Sequence, residues 1–247
     1  MNPTFIWYEL MTTDQSAAID FYSRVVGWTA APHPGSEAGG APYMILSANG
    51  RGVGGVFQLT DEMTSQGASP MWLGYVGVED ADATAKRIEA AGGSRFALAA
   101  DPGGALFYIL APKPQGDPPP PVPQMTPGHC GWHELHAGQG EKAAFDFYSG
   151  LFGWETVREM DMGAMGVYRI FGAGGADLGG MMDKMEQLPR SVWAYYFVVD
   201  GIDSAADRVR ENGGTVRMGP MEVPDGNWVI QASDPQGTIF SLVSPRR

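Results

Sequence analysis

Hydrophobic and polar positions along the chain change period at regular intervals. In "TFIWYELM", Ile6, Tyr8 and Leu10 form one row, while Trp7, Glu9 and Met11 form the other. That two-residue period predicts a strand with one packed face. The period then becomes helical, with Ala18, Phe21, Tyr22 and Val25 on one face. Asp14 stands where an N-cap belongs, and Gly27 where the helix should stop. Glycine-punctuated strands follow in "PYMILSANG" and "GVGGVFQL". The rhythm restarts with a strand, "MWLGYVGV", and a helix, "DADATAKRIEAAGG", whose Ala81, Ala85 and Ile88 point inward. "ALFYILAP" reads as a closing strand. The unit so described is β-α-β-β-β, written twice.

It is written twice again farther on. "WYELMTTDQSAAIDFYSRVVGW" (Trp7–Trp28) is matched by "WHELHAGQGEKAAFDFYSGLFGW" (Trp132–Trp154). "DFYS" recurs at an offset of 126, and Tyr43 with Gly54-Gly55 recurs as Tyr168 with Gly179-Gly180 at 125. Trp72, Val78, Asp82 and Arg87 recur at 121, and "DPGG" at Asp101 returns as "DPQG" at Asp234, offset 133. An ordered series with drifting offset marks an internal duplication. Ala111–Gly128 holds eight prolines and no apolar periodicity, the signature of a semi-rigid linker. The expected organisation is a first domain over 1–111, a linker over 112–127 and a second domain over 128–247. From Gly93 to Asp101 is eight residues, but from Gly214 to Asp234 is twenty. The second module of the first domain is therefore expected to be truncated and its cleft shallower.

Composition narrows the function. The 247 residues are 44% hydrophobic and 18% charged, with a formal net charge of −12. Such an acidic chain repels phosphate backbones, which argues against nucleic acid as a partner. One cysteine, Cys130, cannot form an intrachain disulfide, and a cytoplasmic protein is the simplest expectation. The start, "MNPTFIWYEL", lacks the basic and apolar regions of a signal peptide. No apolar run is long enough for a membrane-spanning helix, so no membrane partner is expected.

In order and in duplicate, "FYSRVVGW" and "FYSGLFGW", the helix entries at Val78 and Val199, and the "DPxG" turns resemble the vicinal oxygen chelate superfamily. That superfamily comprises glyoxalase I, bleomycin-resistance proteins and extradiol dioxygenases, and the resemblance covers nearly the whole chain. It is nearest to a two-domain, glyoxalase-like branch. The fold implied is α+β: two tandem domains, each of paired βαβββ modules forming a curved mixed sheet around a cleft. The resemblance also implies where a metal would be held. The strand-one ligand position falls on Trp7 and Trp132, and the position after "DPxG" on Tyr108 and Ser241. Indole is no ligand, and a divalent ion needs several converging N, O or S donors. The usual triad is therefore missing, no metal or other cofactor is expected, and chemistry that relies on a metal Lewis acid is disfavoured. Glu134 and His136 could begin a metal site, but the sequence offers no third ligand.

By strand alternation Trp132, Glu134 and His136 share the cleft face, opposite His133 and Leu135. Glu134 and Glu9 are the candidate bases, or the groups that orient a ligand's hydroxyl or amine. Candidate ligand-binding residues are Trp7, Tyr43, Trp72, Tyr75 and Tyr108 in the first domain. In the second they are Trp132, His136, Tyr168, Trp193, Tyr196 and Trp228. Such aromatic surfaces suit a flat small molecule. Three functions compete: a metal-independent binding protein for a small hydrophobic or aromatic molecule, a glyoxalase-like lyase or oxygenase-type enzyme using Glu134 or Glu9, and a non-catalytic interaction protein. A homodimer is compatible with each.

Overall fold

The computed structural model describes residues 3–36, 41–95, 98–113, 120–186 and 188–247. The first module consists of β1 (Phe5–Thr12), α1 (Gln15–Val25), β2 (Thr29–Pro32), β3 (Met44–Ala48) and β4 (Arg51–Gln58). A short helix, α2 (Asp61–Ser65), leads to the second: β5 (Met71–Gly77), α3 (Ala81–Ala90), β6 (Ser94–Arg95), β7 (Ala99–Ala100) and β8 (Leu106–Leu110). The third is β9 (Cys130–Ala137), α4 (Glu141–Phe152), β10 (Glu155–Asp161), β11 (Val167–Ala173) and β12 (Ala176–Asp183), with a 3-10 turn at Gly163–Met165. The fourth is β13 (Val192–Val198), α5 (Ile202–Glu211), β14 (Thr215–Glu222), β15 (Trp228–Ser233) and β16 (Ile239–Ser244).

These strands form two eight-stranded mixed sheets. The order is β2-β3-β4-β1-β5-β8-β7-β6 in one and β10-β11-β12-β9-β13-β16-β15-β14 in the other. In each module the first strand runs parallel to the last, and the others pair antiparallel. This is the tandem βαβββ architecture. Between β8 and β9 lies the proline-rich stretch, of which residues 114–119 fall outside the described residues. The twelve-residue difference between the copies sits in one hairpin. β14 and β15 have 8 and 6 residues, whereas β6 and β7 have 2 each. The module of the first copy keeps its strand order and loses hairpin length.

Local sequence accounts for the helices. The Asp14 carboxylate accepts from the Ala17 N–H at 3.0 Å, capping α1, and Gly27 takes φ +90° just past its end. Ala18, Phe21, Tyr22 and Val25 are its buried face. In α4, Ala144, Phe147, Tyr148, Leu151 and Phe152 are buried, and Gly153 closes the helix at φ +70°.

By compactness the chain divides into two units. One comprises Met1–Ile6, Leu73–Pro121 and Trp132–Ala194, and the other Trp7–Trp72, Val122–Gly131 and Tyr195–Arg247. Each unit thus takes one module from either copy of the repeat. In the second, the Tyr22 hydroxyl donates to Asp234 at 3.2 Å and accepts the Trp72 indole N–H at 3.0 Å. In the first, the Tyr148 hydroxyl donates to Asp101 at 3.2 Å and accepts the Trp193 indole N–H at 2.9 Å. Trp28, Phe197 and Phe240 pack around the former cluster, and Trp154, Phe171 and Phe107 around the latter. The "DFYS" tyrosine of each copy is therefore bonded to the "DPxG" aspartate of the other. Among the described residues no helix is long and apolar enough to cross a membrane.

Candidate functional site

The pleat of β9 sends Trp132, Glu134 and His136 to one side of the strand. Tyr168, on β11, reaches them across β12. Its ring can lie there because the intervening residue is Gly180, registered beside Glu134, where a Cβ would run into the phenol. The result is a hydrogen-bonded chain. The Trp132 indole N–H donates to the Tyr168 hydroxyl at 2.8 Å, and that hydroxyl donates to Glu134 Oε2 at 3.0 Å. The other carboxylate oxygen, Oε1, accepts from His136 Nε2 at 3.0 Å. The Glu134 and His136 side chains are only 13% and 7% exposed. His136 Nδ1 is buried and has no hydrogen-bond partner.

The opposite face of β9 belongs to the core. His133 stacks on Phe5 with ring centroids 4.4 Å apart, and its Nδ1 lies 2.6 Å from the Leu178 carbonyl oxygen. Burial lowers its pKa to about 4, against the opposing effect of that hydrogen bond.

The first copy repeats part of the arrangement. Trp7 donates its indole N–H to Tyr43 at 2.9 Å. Gly55, registered beside Glu9, leaves the room that the Tyr43 ring fills. Glu9 is buried. The position equivalent to His136, at the same offset of 125, is Met11.

Other candidates fall elsewhere. Trp72 and Trp193 are core residues, 6% and 4% exposed, with their indole N–H groups donated to Tyr22 and Tyr148. Assigning them to a cleft together with Tyr75 and Tyr196 is corrected by the pleat, because residues three apart on a strand face opposite sides. Tyr75 and Tyr108 stack at 4.2 Å. Tyr196 is buried, in register with Ser241, and accepts from Gln231 Nε2 at 3.3 Å. The Ser241 hydroxyl is buried without a partner. Trp228 is half-buried, with the Arg247 guanidinium 4.9 Å over its ring. Tyr43 and Tyr168 are among the sequence candidates, and they recur with their glycines at offset 125, but the hydrogen bonds that join them to Trp-x-Glu are visible only in the structure.

The residues present do not fit the metal that the fold implies. The strand-one position carries an indole, already bonded to tyrosine, and the later position carries Tyr108 in one copy and Ser241 in the other. Among the described residues no three of His, Cys, Asp and Glu converge. What the third module does hold is a carboxylate fixed between a phenol and an imidazole beside an indole. That arrangement can orient a polar group and accept or share a proton.

Comparison with known proteins agrees with the architecture. A model described as Glyoxalase/Bleomycin resistance protein/Dioxygenase superfamily matches residues 140–242, and one described as Glyoxalase-like domain matches residues 7–118. The protein named "Putative glyoxylase CFP32" of Mycobacterium tuberculosis is 31% identical over 249 residues, 97% of this chain and 94% of its own length. Anthracycline biosynthesis protein DnrV of Streptomyces peucetius is 31% identical over 264 residues, 97% of this chain and 92% of its own. Among solved structures, 2,2',3-trihydroxybiphenyl 1,2-dioxygenase of Sphingomonas wittichii superposes with a TM-score of 0.67 at 12% identity, covering 99% of this chain and 91% of that one. At that identity the likeness speaks for the fold alone. Two family matches in tandem and relatives of this similarity along nearly their whole length establish that the chain belongs to the glyoxalase/bleomycin resistance protein/dioxygenase superfamily.

Proposed function

We propose that the chain binds a small, flat, partly hydrophobic molecule without the usual metal triad, and that Trp132, Tyr168, Glu134 and His136 form the polar end of its site. One observation carries the reading: two ionisable side chains, Glu134 and His136, are held almost out of solvent on a strand face beside two aromatic rings. Burying such groups is costly, and proteins concentrate that cost where they bind or react. The names of DnrV and of its relative DauV, both for anthracycline biosynthesis, fit a small-molecule role.

A thermal-shift screen of hydroxylated aromatic compounds, on chain treated with a chelator, tests the reading. Ligands should raise the melting temperature, and Glu134→Gln, which removes the charge that Tyr168 and His136 are bonded to, should weaken them by about 1–3 kcal/mol. Glu9→Gln should weaken them less. Stabilisation that vanishes with the chelator and returns with a divalent ion would replace this reading by a metal-dependent one. Turnover of the methylglyoxal–glutathione adduct by the chelated chain, abolished by Glu134→Gln or Glu9→Gln, would favour the glyoxalase-like enzyme. A screen without any ligand would favour the interaction protein.

A further inference from the structure

The carboxylate of Glu134 is not the open end of the cluster. Oε2 takes the tyrosine hydroxyl and Oε1 takes the histidine. A carboxylate in that position fixes a hydrogen on His136 Nε2, so the ring position at which a proton can come and go is Nδ1. Nδ1 is also the atom left without a partner, in a side chain 7% exposed. A buried acceptor is seldom left unmade.

The duplication supplies an internal control. The Trp–Tyr hydrogen bond, the glutamate and the glycine that admits the tyrosine ring occur in both copies. The imidazole is not among these shared residues, Met11 standing in its place in the first copy. The shared residues make a frame, and His136 adds a proton acceptor to one of them.

We infer that His136 Nδ1 accepts the proton of a weakly acidic hydroxyl on the bound molecule, a phenol or an enol, with Glu134 as the positioning residue behind it. This rests on the binding function proposed above. In the step the O–H bond breaks and an Nδ1–H bond forms. The ligand becomes a phenolate or enolate, the ring an imidazolium, and the Glu134 carboxylate balances that charge. Nothing is oxidised or reduced.

The probe is 4-nitrophenol, whose phenolate is coloured, with 4-nitroanisole as the analogue that has no proton to give. Below the pKa of free 4-nitrophenol, adding the intact chain should raise the phenolate absorbance. His136→Met, which installs the residue the first copy already carries, should reduce the bound phenolate fraction about tenfold, one pKa unit. Glu134→Gln should move the midpoint of the bound phenol's titration to higher pH, a change that a purely structural role would not produce. No phenolate increase with the unaltered chain, or an equal increase with His136→Met, overturns the inference. If 4-nitroanisole still raises the melting temperature in that case, the binding function stands and the proton acceptor alone falls. If neither compound does, both fall.

Discussion

Two histidines three residues apart on β9 meet opposite fates. His136 is paired with a carboxylate, whereas His133 is packed against Phe5 and held neutral by burial, its pKa lowered to about 4. A histidine whose folded pKa lies below its unfolded value favours folding above the unfolded pKa. That contribution is lost as the pH falls from about 6.5 towards 4. His133→Asn, which retains a donor for the Leu178 carbonyl, should flatten this acid dependence. Urea melts at pH 7 and pH 4 should show the unaltered chain losing about 2–3 kcal/mol more than the variant, at 1.36 kcal/mol per pKa unit. Equal losses would show that the pH dependence lies elsewhere. The sequence revealed that the two residues face opposite ways. It could not reveal the neighbours, since Phe5 lies 128 positions from His133.

Among the elements, the helices were the most legible, because an N-capping aspartate, an apolar face and a terminal glycine all act within a few residues. The α1 face and the Asp14 cap are visible in the sequence alone. Strand faces were legible only where the two-residue period was followed strictly. Trp72 and Tyr75, or Trp193 and Tyr196, cannot share a face, whatever their common aromatic character suggests. Least legible was the cross-strand link from Tyr168 to Glu134, since it depends on which strand separates β9 from β11. That strand carries Gly180 under the tyrosine ring. Gly180→Ala should displace the ring, break its bonds to Trp132 and Glu134, and destabilise the fold by about 1–3 kcal/mol. Tyr168→Leu shortens the side chain that collides. The double variant should therefore cost less than the two single changes added together, a coupling that denaturant melts of all three would measure. Strict additivity would mean that glycine and ring do not meet.

At the scale of the molecule, the repeats exchange their contacts. Tyr22 reaches Asp234 and Tyr148 reaches Asp101, so each copy donates a hydroxyl and receives one. Burial raises the pKa of both aspartates, partly offset by the hydrogen bonds they accept. With folded pKa values above the unfolded ones, they favour folding below the unfolded pKa and lose that effect as the pH rises through the folded pKa. Their trend is thus opposite to that of His133. Cutting the proline-rich segment should leave two pieces that co-elute in gel filtration, and Tyr22→Phe together with Tyr148→Phe should make them separate at lower urea. Pieces that part on cutting would show these contacts to be too weak to join them. A pairing in which residue i meets j and the equivalent j meets i is how two identical subunits recognise each other across a two-fold axis. The chain therefore carries, within a single polypeptide, the self-recognition of a symmetric dimer. Its two halves need not be identical, as the subunits of such a dimer must be: one carries His136 where the other carries Met11.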